Sequence, residues 1–215
     1  TARWPARSVS AQTVEPARAG HSSPGQSSRA LFRLACLAVG VAWMLGAFLL
    51  ALGADLAHVL FGFTFVGVAG IILTVFQLFA GIGQVLGGRI GNLRTIGFGL
   101  LGIAVSQIVL VLSVPGAHQV ALLAMTPFCG LFFGVVFVGA LGLANAASVP
   151  EKRSTDISRF YIAGYLSNML PVLAMGYFID IVGLELAFYS FSALLVALSL
   201  IGAGIALSHR SAART

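Results

Sequence analysis

The chain has 215 residues, 59% of them hydrophobic and only 8% charged, with a mean hydropathy of +1.01. A soluble domain carries roughly 25% charged residues and could not hide this much apolar surface, so a bilayer is the solvent that fits. The net charge of +6 does not mark a nucleic-acid binder, because the basic residues lie between apolar runs and do not cluster with aromatics.

Residues 1–33 hold five arginines against one acid, Glu15, with Pro5, Pro16 and Pro24 among serines and glycines. Low hydrophobicity predicts a polar cytoplasmic leader, loop-like or disordered. A transit peptide has a similar make-up, although a connecting loop feeding the first span is the simpler account. Residues 34–208 then predict a bundle of six spans, at 34–53, 65–87, 95–114, 119–145, 160–180 and 186–208. Crossing the hydrocarbon core takes about 20 apolar residues, so each stretch serves one helix. Residues 209–215 form a cytoplasmic tail. The even apolar texture lacks the alternation of a barrel strand, which leaves an all-α membrane protein.

The positive residues orient the bundle. With the N-terminus in the cytoplasm, all twelve Lys and Arg residues fall in inside segments: the leader, the turn with Arg89 and Arg94, the loop with Lys152, Arg153 and Arg159, and the tail with Arg210 and Arg214. The outer loops carry Asp55, His58, His118, Asp180 and Glu185, with no Lys or Arg. Both termini are therefore expected in the cytoplasm.

Within the spans, Gly83, Gly87 and Gly91 recur every four positions, as do Gly130 and Gly134. Such spacing lines one helix face with small side chains and lets another backbone approach; the plainer alternative is that glycine is common in membrane helices. Cys36 and Cys129 both lie in apolar stretches, which argues against a disulfide framework or a metal site. No cofactor is expected.

The turn after the second span reads Gln84-Val85-Leu86-Gly87-Gly88-Arg89-Ile90-Gly91-Asn92-Leu93-Arg94. It resembles the short cytoplasmic loop signature of the major facilitator superfamily, matching at Leu86, Arg89 and Gly91. Gly88 stands where the family usually has the aspartate that helps latch a cytoplasmic gate. Gly91 is expected to permit a tight reversal, and Arg89 and Arg94 to brace neighbouring helix ends through their carbonyls. A second resemblance lies in Gly164-Tyr165-Leu166-Ser167-Asn168-Met169-Leu170-Pro171, followed by Gly176, which looks like the pliable eleventh helix of bacterial facilitators. An ordinary proline kink would read the same way.

The resemblance covers roughly residues 34–208. It implies the C-terminal six-helix half of a secondary transporter, built of two inverted three-helix repeats and working by alternating access. The absence of an initiator Met at Thr1 and the polar leader fit a piece that follows a first half. The expected partners are the lipid bilayer, the missing N-terminal half or a second copy, and a small-molecule substrate. The expected location is a plasma membrane such as the bacterial inner membrane. A non-transporting six-span scaffold or assembly protein is the rival reading.

No span carries a charged residue near its centre, so the usual sign of ion coupling is missing. Trp43, Gln77 and Asn168 lie near span centres, and Thr126 nearer the outer end of the fourth. Amides are costly in hydrocarbon unless paired, so they should face the bundle or a wet cavity. In the family the cavity is lined by the first, second, fourth and fifth helices of this half. By that resemblance Trp43, Gln77, Thr126 and Asn168 are candidate substrate contacts; helix–helix hydrogen bonding and packing are the alternative. Gln107, on the third span, is expected to be peripheral. His58 and His118 lie in outer loops and no phosphate or zinc motif appears, so an enzyme is not expected.

Overall fold

The computed structural model describes residues 24–212, and its long elements are all helices. Most of the leader, with Arg3, Arg7 and Arg18, and the end of the tail, with Arg214, lie outside the described residues. The six helices are α1 (Pro24–Asp55), α2 (Val68–Gly87), α3 (Asn92–Ser113), α4 (Gln119–Ala147), α5 (Arg153–Val182) and α6 (Leu184–Ala212). Each is long and apolar enough to cross a membrane.

Three stretches expected as loop are helical. α1 begins at Pro24, because proline suits the first turn of a helix, where its missing N–H is not needed. At the other end α1 continues through a π-helical segment, Leu56–Leu60, instead of breaking at Asp55. There His58 Nδ1 donates to the Phe63 carbonyl at 2.6 Å. α5 likewise starts at Arg153, ahead of the expected 160, with Asp156 in its first turn opposing the helix dipole. Hydropathy marks where a helix enters the bilayer, and these polar turns extend past that point.

One end of the bundle gathers the start of α1, the α2–α3 turn, the α4–α5 connection and the end of α6. Leu143, near the end of α4, shares a surface pocket with Arg94 and Arg210, and Ala147 shares another with Arg29 and Lys152. At the opposite end the Gln119 amide donates to the Gly62 carbonyl at 3.0 Å, tying the start of α4 to the α1–α2 loop.

The apolar core lies among α1, α3, α4 and α6, around Leu45, Leu100, Ile103, Val136 and Leu195. α2 is held chiefly by α4, and α5 chiefly by α1. Lipid tails are as apolar as leucine, so contacts of this kind depend on close packing more than on burial from water. Glycines supply that closeness on both sides of α2–α4. A Cβ on Gly83 would overlap the Leu131 carbonyl oxygen, one on Gly130 that of Phe76, and one on Gly134 that of Ala80. Gly87 faces Val135 and Val138 in the same seam. Gly91 is not part of it.

A cavity between α1, α2, α4 and α5

α2 and α5 each pack on a different central helix, and a cavity of about 280 Å³ lies in the space flanked by them. α1 contributes Trp43, Gly46, Ala47 and Leu50, α2 contributes Leu73, Phe76 and Gln77, α4 contributes Phe133, and α5 contributes Asn168. Three of the four residues singled out from the sequence therefore meet in one wall. Thr126 does not join them. It is buried within α4, and its hydroxyl donates to the Leu122 carbonyl one turn back at 2.8 Å.

Trp43 is fixed by small and aromatic neighbours. Gly164 on α5 faces the indole so closely that a Cβ there would stand 3.1 Å from Cε3. Tyr165 meets the ring edge-on at 4.8 Å and 77°, and Phe137 lies 6.2 Å away at 27°. Offset and edge-on pairs of this kind add about 0.5–1.5 kcal/mol beyond area burial. One turn along α1, Gly46 lets Phe133 approach, with its ring carbon Cε2 3.0 Å from where a Cβ would be. Phe133 in turn tilts against Phe76 at 5.3 Å. The sequence reading missed Gly46, Phe76 and Phe133, since apolar residues in an apolar span carry no polar signal.

The two amides are the polar features of this wall. Gln77 is exposed and Asn168 half-buried. Neither has a hydrogen-bond partner among the described residues. Their donors and acceptors are left for whatever occupies the cavity. Among the described residues no lysine, arginine, aspartate or glutamate lines it.

The remaining sequence-derived positions lie elsewhere. Gly88 closes α2, its N–H donating to the Gln84 carbonyl at 3.1 Å. Gly91 precedes α3 with φ −65° and ψ 137°, which any residue adopts, and a Cβ there would meet nothing within 4 Å. The reversal that Gly91 is expected to permit is made at an ordinary negative φ, and the close approach in this turn falls on Gly87. Arg89 and Arg94 are exposed, and their guanidinium groups make no hydrogen bond or ion pair among the described residues. The carbonyl brace expected of them comes from Thr95, whose hydroxyl reaches the Gly91 carbonyl at 3.2 Å and that of Gly87 at 3.4 Å. Pro171 sits inside α5, and Gly176 faces open space on the same helix.

Gln107 is the other departure. It is 1% exposed, held between α3 and α6, and accepts a hydrogen bond from Ser192 Oγ at 3.3 Å. Its Nε2 has no partner among the described residues.

No family model matches the chain, and no curated protein or solved structure matches it.

Proposed function

We propose that this chain is half of a membrane transporter, supplying one wall of a substrate pathway that a second six-helix unit completes. The observation that carries the reading is the pair of unpartnered amides, Gln77 and Asn168, beside Trp43 in one cavity near mid-span. An unpaired amide facing hydrocarbon costs a few kcal/mol, so this wall faces water, a solute or a partner and not lipid.

The packing supports the inverted-repeat organisation. Exchanging α1 with α4, α2 with α5 and α3 with α6 turns the α2–α4 contact into α5–α1 and the α3–α4 contact into α6–α1. All four pairs are in contact, and α1–α4 and α3–α6, which the exchange leaves unchanged, are also packed. Under this operation Gln77 and Asn168 stand on equivalent helices. The resemblance of the α2–α3 turn to the facilitator signature points the same way.

The cavity chemistry defines the solute class. With an indole, two phenyl rings and two amides and no charged group, it suits a neutral amphipathic molecule that hydrogen-bonds at one edge. The absence of a charged residue near the span centres means that any ion coupling comes from the partner half. The two termini lie in the cytoplasm by the sorting of basic residues.

The test is to express the chain alone and behind whatever coding sequence precedes it, and to measure efflux of a panel of neutral aromatic dyes. Transport should require the longer product and should fall on Gln77→Leu or Asn168→Leu. Full transport by the chain alone would contradict the half-transporter reading.

A further inference from the structure

At the basic end of the bundle, the first turns of α1 and the α4–α5 connection enclose a second cavity of about 590 Å³. Arg29 and Arg33 line it from α1, one helical turn apart, and Lys152 and Arg159 from the α4–α5 side, with Phe32 and Val149 also in the lining. Among the described residues Asp156 is the only acid in the lining, and it pairs with Arg159 at 3.3 Å. Four cations against one carboxylate leave three positive charges facing a common space. Arg29, Arg33 and Lys152 have no ion-pair partner among the described residues.

Like charges held around one cavity repel, and an anion placed between them reverses the sign of that interaction. Two guanidinium groups one turn apart present forks of N–H donors suited to phosphate oxygens, and Lys152 adds a point charge from the α4–α5 side. Depth is consistent with a headgroup. Arg33 is exposed while its neighbour Leu34 is buried in the core, so the cations stand where α1 leaves the apolar layer. Phe32 and Val149 give the site an apolar contact for the carbon skeleton of an ester.

We infer that this cavity binds a phosphate ester, the chemistry shared by an anionic phospholipid headgroup and a soluble organic phosphate. The site is separate from the Trp43 cavity and does not depend on the transport reading.

The experiment follows the thermal unfolding midpoint of the purified chain in neutral detergent at constant ionic strength. Phosphatidylglycerol, phosphatidylcholine and glycerol 3-phosphate are titrated separately. A rise with phosphatidylglycerol alone identifies a lipid headgroup; a rise with glycerol 3-phosphate as well identifies a soluble phosphate ester. In either case Arg29→Gln/Arg33→Gln should weaken binding about 30-fold, and Lys152→Gln about fivefold, at about one surface cation's attraction each. Arg89→Gln/Arg94→Gln removes the same charge from the same end and should leave binding unchanged. If the α1 double variant fails to fold, Lys152→Gln carries the comparison from the α4–α5 side. No rise with phosphatidylglycerol or glycerol 3-phosphate, an equal rise with zwitterionic phosphatidylcholine, or an equal loss in the Arg89/Arg94 variant, would overturn the site.

Discussion

Gly164 of α5 lies against the indole of Trp43 on α1, so close that a methyl group on the glycine would stand 3.1 Å from the ring. This contact sets the orientation of the largest side chain in the cavity wall and couples α5 to α1 at the level of Asn168.

Replacing that glycine should therefore act on both packing and the cavity. Gly164→Ala needs the indole to give by a few tenths of an ångström, whereas Gly164→Val forces it away. The valine variant should lose roughly 1–3 kcal/mol of stability and shift Trp43 emission, with alanine much milder. Denaturant titration and fluorescence in a Trp4→Phe background measure both.

The α2–α4 seam should be less tolerant still. At Gly134 the added methyl would overlap the Ala80 carbonyl oxygen, and backbone cannot swing aside as a side chain can. Gly134→Ala should lower stability by about 1–3 kcal/mol, while Gly81→Ala, which meets nothing within 4 Å, should be neutral or slightly stabilising. Unfolding midpoints of the two variants make the comparison.

Gln107 should respond in the opposite sense to an ordinary core residue. Its Nε2 is buried without a partner among the described residues, so Gln107→Met removes an uncompensated polar group at similar volume. Ser192 can then turn its hydroxyl to its own helix, as Ser190 does to the Leu186 carbonyl at 2.8 Å. The unfolding midpoint should hold or rise, by the equivalent of about 1 kcal/mol. A large fall would mean that the amide has a partner of greater value.

The span count was legible because hydropathy over about 20 residues is a direct record of the bilayer. Helix ends were less so. Pro24–Arg33 and the first turns of α5 are polar helix, and polarity does not distinguish a helix in water from a loop. Glycine spacing foretold the seam at Gly83, Gly130 and Gly134, yet it could not tell that Gly91 takes an ordinary φ and stands outside it. Depth in the span, with the helix set implied by the facilitator resemblance, was enough to group Trp43, Gln77 and Asn168. It failed for Thr126, whose hydroxyl is satisfied by its own helix, and for Gln107, whose burial depends on how α3 meets α6. Both outcomes are set by helix rotation, which depth along the chain does not record.

In the proposed transport cycle, Gln77 and Asn168 line a pathway that opens to each side of the membrane in turn. Gln77→Cys and Asn168→Cys, each in a Cys36→Ala background, can be labelled with a membrane-impermeant thiol reagent applied to sealed vesicles of either orientation. Buried Cys129 serves as the internal control that should stay unlabelled. With the proposed two-unit transporter in the membrane, both positions should be labelled from both sides, and substrate should change the ratio. Protection of both positions from both sides under all conditions would contradict the account and leave a packed scaffold.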